Sequence, residues 1–425
     1  MNLNILFFLL FLYSSIFSQT HITVLHTNNL NGTLENCICP DHPFGSVEKI
    51  KPLLDKIRKQ EKNVLLFDAG DMLSPFADKN KDITMLEVLP LLKYDAITVG
   101  DQDFLHGMNF FTNNFIKNKF PIISANIDIK SAPYVIKKIS GIRVGVIGVT
   151  SSKAFNFFPE ENRGEIKVHD IYKNIDKYLD EIKNKADIII LLSHSGLDED
   201  KKTAKIFPQI DLIVGGHSQN ALKEGVKVGK TLIVQAGSDG YFLGRVDMSL
   251  DKNKKISYIS SQLIPIGIEL KNDKQIVAII KKYDFGFIQK AVEKQKLIKP
   301  ITGSFLTVAP ENCGECHKKE FSAWKKSAHA RSWQSLKNKK KTKSLKCISC
   351  HVSGFGKKDG FINVNITSDM KNVSCTDCHY TQTDHLRKKN KKTVKTISEK
   401  TCIRCHDNEN DADFDYKKAL SRIKH

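Results

Sequence analysis

Beyond residue 17 the chain has no apolar run long enough to cross a bilayer, which excludes further membrane spans. The one long run, Ile5 to Phe17 within "MNLNILFFLLFLYSSIFSQT", carries no charge and is too short to span comfortably. It suits the h-region of a signal peptide, although the stretch before it lacks the usual Lys or Arg. No cysteine lies near the small residues around Ser18 where cleavage is expected, so nothing supports a lipid anchor. Residues 1–19 are expected to be a signal peptide that exports the chain to the periplasm or another extracytoplasmic space. Membrane contact is expected only if that segment stays uncleaved.

Acidic residues are also scarce in one region. The net charge is +19, and residues 300–425 hold 26 Lys and Arg against 13 Asp and Glu, leaving 40 against 34 in the rest. A basic tail of this kind can bind nucleic acid, but the cysteines give it another reading and no nucleic-acid partner is expected. With 425 residues, 40% hydrophobic and 27% charged, the chain is soluble in type and has room for two or three domains.

Eight of the ten cysteines fall into four copies of Cys-x-x-Cys-His. These are Cys313, Cys316 and His317; Cys347, Cys350 and His351; Cys375, Cys378 and His379; Cys402, Cys405 and His406. The pattern attaches haem c: the thiols form thioethers with the vinyl groups and the His is an axial ligand. Zinc ribbons and disulfide scaffolds also use paired cysteines, but neither needs a His directly after every pair. Four covalently bound haems are expected. Their faces would supply the core that a Lys-rich segment short of aliphatic residues lacks. Runs such as "KNKKKTK" are then solvated loops or a docking face for an acidic redox partner.

The stretches "CHKKEFSAWKKSAHARSW", "CISCHVSGFGKKDGF", "VSCTDCHYTQTDH" and "CIRCHDNENDADFDYKKALSRIKH" resemble the multihaem cytochromes c typified by the tetrahaem electron acceptor of hydroxylamine oxidation. The resemblance implies a mostly α and irregular domain over 310–425, with His329, His385 and His425 as distal ligands. The third motif runs into "YTQT" where the family has a Gly-Pro-Gly-type turn. Three distal candidates leave one haem five-coordinate or served from elsewhere.

Residues 21–265 alternate short Val/Ile/Leu-rich runs with amphipathic stretches such as "VHDIYKNIDKYLDEIKNKA" (168–186), the pattern of an α/β domain. Successive apolar runs end on Asp71, Asp101, His194 and His217, and in open α/β sheets sites lie beyond the strands' carboxyl ends. One shared metal site is expected. The stretches "HTNNLNG", "DAGD", "GDQDFLHG", "LLSHSG" and "GGHSQN" resemble, in order and spacing, the calcineurin-like metallophosphatases, particularly the N-terminal domain of exported 5′-nucleotidases and UDP-sugar hydrolases. The resemblance implies a β-sandwich flanked by helices over 20–268 and a two-metal phosphoesterase site. Asn29, Asn31 and Gln219 stand where that family places ligands of its first metal. Neutral amides bind such ions weakly, so that half is expected to be empty. Asp71, Asp101, His194 and His217 stand at the second half and imply a single divalent ion, Zn, Fe or Mn. Gln102 replaces the family's transition-state His and cannot protonate a leaving group. Where that family continues into a nucleoside-binding domain, a linker helix within 269–309 is expected here, leading to the haem motifs.

Residues 29–48 also resemble a divergent branch with Asn in the first motif and a Cys-x-Cys-Pro-like segment, whose members include selenoproteins and fusions to multihaem cytochromes. Here the segment carries Cys37 and Cys39. Four roles are open for them: a structural pair, a redox dithiol whose small disulfide ring is readily reduced, ligands to the metal, or a nucleophilic thiolate. The expected function is electron transfer between this domain and the haems, with a redox partner protein or a small-molecule donor or acceptor. Hydrolysis of phosphoesters or sulfur esters, and a scaffold with no catalysis, are the alternatives.

Overall fold

The computed structural model describes residues 19–35, 44–159, 163–282 and, less several short stretches of which 386–396 is the longest, 305–423. The signal segment before residue 19, Cys37, Cys39 and His425 lie outside the described residues, as does the linker beyond residue 282; residues 274–282 are helical. Among the described residues no helix is long and apolar enough to cross a membrane. The chain divides into two compact units, one of residues 1–32 and 53–266, the other of 33–52 and 267–425.

The first unit contains two sheets. One is built from β1 (Thr20–Thr27), β2 (Val64–Ala69), β3 (Ala96–Thr98), β10 (Phe242–Leu250) and β11 (Ile256–Pro265), in the order β11-β10-β1-β2-β3. The other is built from β4 (Tyr134–Ile139), β5 (Ile142–Thr150), β6 (Ile188–His194), β7 (Leu212–Gly215), β8 (Val226–Val228) and β9 (Thr231–Val234), in the order β4-β5-β6-β7-β9-β8. Alternate residues of both sheets, among them Val24, Phe67, Val146, Ile190 and Val246, meet in one buried cluster. The period-2 pattern of the strands places them there, since neighbouring side chains point to opposite faces. Ile147, Leu191 and Ile213 point the other way, onto Ile175, Leu179 and Ile182 of the helix Ile171–Ile182. This is the expected metallophosphatase sandwich with flanking helices. In each sheet the central strands run parallel, β1-β2-β3 in one and β5-β6-β7-β9 in the other, so their carboxyl ends gather along one edge.

The second unit is made of short helices. Pro310–Gly314, Leu345–His351, Cys375–Cys378 and Glu399–Cys402 each carry part of one haem motif, and Lys318–Lys326, Ser332–Asn338 and Tyr416–Ile423 lie between or after them. Its buried apolar cluster is small: Ala309, Trp333, Leu336, Ile348, Val352, Phe361 and Met370. Residues 44–52 also belong to this unit. Phe44 bridges Gly267, Lys49 Nζ donates to Leu270 O at 2.9 Å and Asn272 Oδ1 at 2.6 Å, and Lys51 pairs with Asp273 at 3.2 Å.

Candidate metal centre and haem ligands

Four strand ends supply the metal cluster. Asp71 follows β2, Asp101 follows β3, His194 ends β6 and His217 follows β7. One donor atom from each lies within 4.8 Å of the others. The turn after β2 is left-handed, with φ of 89° at Gly70 and 59° at Asp71. A Cβ on Gly70 would stand 2.6 Å from Gly100 N and 2.8 Å from His194 Nδ1, so only glycine lets the β2 and β3 ends and the imidazole close up. Asn29, Asn31, His217 and Gln219 are left-handed too, which concentrates backbone strain at this edge.

His194 is fully buried, and its Nδ1 donates to Ala69 O at 2.7 Å. That bond fixes the tautomer and turns Nε2 toward Asp71 Oδ2 at 3.2 Å and Asp101 Oδ1 at 3.5 Å. Both His194 Nε2 and Asp101 Oδ1 are buried with no hydrogen-bond partner. Buried polar atoms are almost always paired, so these two atoms fit a bound ion. His217 Nδ1 lies 3.6 Å from the same Asp101 oxygen. Burial opposes ionisation of Asp101, yet His194 and His217 bring its carboxyl down to about 2. Burial likewise opposes charge on His194, but Asp71 and Asp101 outweigh it and raise its pKa well above the ordinary value. Two imidazoles and two carboxylates are a fitting donor set for Zn, Fe or Mn.

The supporting residues were not visible in the sequence pattern. Asp103 accepts from the backbone N–H groups of Asp71, Met72, Leu73 and Gly100 at 2.9–3.2 Å, tying the β2 and β3 loops together. Burial, then the Asp71 charge, pushes its carboxyl up to about 7. Its place inside "GDQD" was the available signal. Asp68, raised to about 8 chiefly by burial, holds Thr27 and the Gly70 N–H. Asn29 and Asn31 are buried beside the ligands, and Asn29 Nδ2 donates to Asp71 Oδ2 at 2.9 Å. A second group, His21, Glu61 and Asp247, is also close enough for an ion. Arg245 already neutralises it, contacting Glu61 at 2.6 Å and Asp247 at 2.8 Å.

In the second unit two imidazole pairs lie close together, the planes of His317 and His385 at 23° and those of His329 and His406 at 70°. The rings of His317 and His385 are 6.0 Å apart between centroids, and those of His329 and His406 are 6.1 Å apart. Two imidazoles sharing a metal at about 2 Å from each nitrogen leave about 6 Å between centroids. The spacing of both pairs is that of two imidazoles on one iron, and it sets His385 beside His317 of the first motif and His329 beside His406 of the fourth. Burial, then nearby His406, lowers the pKa of His329 and favours the neutral, ligating form. His406 Nδ1 donates to Asp411 at 2.7 Å, and His351 Nδ1 to Ser332 O at 3.0 Å, which orients both rings. No disulfide joins the eight motif cysteines. The helix Cys375–Cys378 packs against Pro310–Gly314, setting the third motif beside the first.

Comparison with known proteins agrees with both halves. Residues 20–220 match the calcineurin-like phosphoesterase family, and residues 312–380 match cytochrome c554 and c-prime. The 5′-nucleotidase of Rattus norvegicus is 29% identical over 302 residues, covering 62% of this chain and 52% of that protein. The snake venom 5′-nucleotidase of Naja atra is 30% identical over 303 residues, covering 61% and 56%. The chain thus spans about half the length of these relatives. Among solved structures, a 5′-nucleotidase precursor from Thermus thermophilus superposes with a TM-score of 0.56 at 24% identity, covering 64% of this chain and 59% of that one. The sulfate thiohydrolase SoxB of the same species gives 0.57 at 18%, covering 68% and 64%. The chain joins a calcineurin-like metallophosphatase domain to a cytochrome c554-type segment.

Proposed function

We propose that this is an extracytoplasmic electron-transfer protein, in which a multihaem c-type unit serves redox chemistry at a metallophosphatase-like domain holding a single divalent ion. The observation that carries the reading is the two close imidazole pairs, His317 with His385 and His329 with His406. Paired imidazoles of this kind would hold haem iron with no position left for substrate, which suits the unit to passing electrons. Four haems would be held by the four Cys-x-x-Cys-His motifs, with His425 as a third distal ligand. When bound, haem iron supplies one-electron transfer.

In the first unit Asp71, Asp101, His194 and His217 would hold Zn, Fe or Mn, and Asp103 and the Ala69 carbonyl keep Asp71 and His194 in position. Cys37 and Cys39 are the proposed redox dithiol: closing their disulfide releases two electrons and two protons. The partner is a redox protein or a small-molecule donor or acceptor, and the surplus of Lys on the haem segment favours an acidic one. Nucleic acid is not among the proposed partners, and the membrane would be met only through an uncleaved leader.

The intact four-residue ligand set favours a second reading, metal-dependent hydrolysis of a phosphoester or sulfur ester. Asp71 and His194 would orient the substrate there, but Gln102 has no proton to give a leaving group. Two measurements on the full-length protein separate the readings. Electron transfer predicts haem reduction by a small-molecule thiol that is lost in Cys39→Ser, together with one high-spin haem appearing in each of His385→Ala and His329→Ala. Hydrolysis predicts turnover of a generic phosphoester that disappears in Asp71→Ala. If neither reaction occurs and the protein carries no non-haem metal, the first domain is a scaffold.

A further inference from the structure

We propose that the Asn29 carboxamide takes the place of a second cation beside Asp71 and so limits the centre to one ion. The inference rests on the single-ion reading and names the residue that enforces it. Asn29 is fully buried, with a left-handed φ of 48°. Its Oδ1 accepts the backbone N–H of His217 at 3.0 Å and the Asn28 side-chain N–H at 3.1 Å. An amide oxygen only accepts and an amide nitrogen only donates. With two donors aimed at Oδ1 the amide cannot turn over, and Nδ2 is the atom left to meet Asp71 Oδ2 at 2.9 Å.

Asp71 then has little left to share. Its Oδ1 accepts the Gln102 N–H at 3.0 Å. Its Oδ2 is flanked by the Asn29 N–H on one side and by His194 Nε2, 3.2 Å away, on the other. A carboxylate oxygen has two lone-pair positions, so one Oδ2 lone pair serves the gap among Asp71, Asp101, His194 and His217, and the other is taken. A second cation bridged through Oδ2 would need that lone pair. An N–H donor stands there instead, supplying a partial positive charge without an ion. The same amide holds the His217 backbone through Oδ1, so one side chain both closes the second position and steadies the first.

Asn29→Asp tests this without changing the side chain's size. It sets an oxygen against Asp71 Oδ2 in a buried place, where two carboxylates need a cation or a shared proton between them. Haem-loaded full-length protein, stripped with a chelator, is titrated with Zn²⁺ and its zinc counted by elemental analysis. The expected result is one zinc per chain for the natural sequence and two for Asn29→Asp. In chelator, the variant should melt at a lower temperature than the natural chain. Asn29→Ala guards against a variant that does not fold, since losing the amide should weaken binding of the single zinc about 10- to 100-fold. Two zincs in the natural chain would overturn the inference. One zinc in Asn29→Asp with unchanged melting in chelator would also overturn it and leave the single-ion reading standing, as would an unaltered affinity in Asn29→Ala. No zinc at all in the natural chain would remove that reading, and the inference with it.

Discussion

In the first unit, twenty buried side chains drawn from both sheets form one apolar cluster, and thirteen more pack between the second sheet and its helices. In the second unit, the corresponding cluster among the described residues has seven members. Burial of apolar area at roughly 25 cal/mol per Å² is the main favourable term in folding. The first unit can therefore stand on its strands, while the second, on the proposed reading, would draw on haem to complete its interior. The two units also make sites differently. The four-residue cluster is assembled from strand ends that a sandwich holds in register, whereas the paired imidazoles of the second unit lie on short segments, His317 just before Lys318–Lys326 and His406 just after Glu399–Cys402.

The largest test of this contrast is to make the full chain in cells that cannot attach haem. Limited proteolysis followed by mass spectrometry should then show residues 305–423 degraded while the sandwich survives. Equal resistance of both parts would mean that the small cluster is enough, and the contrast would fail. A smaller effect is expected from Ile190→Ala, at a fully buried position in the two-sheet cluster. It should cost about 2–5 kcal/mol in the first unit and leave the haem absorbance spectrum unchanged. A joint loss of both signals in thermal melts would show that the units do not unfold separately.

The smallest effect concerns charge. Asp187 accepts two bonds from the Arg143 side chain, at 2.7 and 3.2 Å, and one from its backbone N–H at 2.8 Å. The Arg143 guanidinium bond is the main cause that lowers its pKa to about 2. A carboxyl depressed in the folded state stabilises above its unfolded pKa, about 4, and that stability is lost as pH falls toward 2. Asp187→Asn should flatten the acid limb of a stability curve and cost no more than about 1 kcal/mol at neutral pH, because the pair is near the surface. A larger loss would give surface charge more weight in the sandwich than its core suggests.

Much of this arrangement is legible in the sequence, for reasons that differ between the units. Asp71, Asp101, His194 and His217 could be grouped because each ends an apolar run, and parallel strands bring such ends to one edge. The haem motifs needed no fold at all, since attachment is written in local spacing. Contacts that depend on backbone direction stayed hidden. Asp103 binds four N–H groups, and nothing in its residue type announces that. Asn29 looked like a missing ligand, and only the orientation of its amide shows what it does in place of one. The pairing of His385 with His317 and of His329 with His406 joins residues 68 and 77 positions apart, which no periodicity connects. Strands β4, β8, β10 and β11 also stayed hidden, because their partly exposed residues dilute the apolar signal, as did β9, which has only four residues.

Residues 33–52 sit between β1 and β2 in sequence, yet they belong with residues 267–425. Glu35, two positions before Cys37, pairs with Lys341 at 2.7 Å, and Lys49 and Lys51 are tied to residues 270–273. The chain therefore cannot be dissected like beads on a string. A gene fragment ending at residue 266 would leave Glu35, Lys49 and Lys51 stripped of their companions, and one beginning at 267 would lack the insert that completes it. A cut at residue 266 would thus part contacts that lie inside one unit, so the sequence boundary and the structural boundary differ.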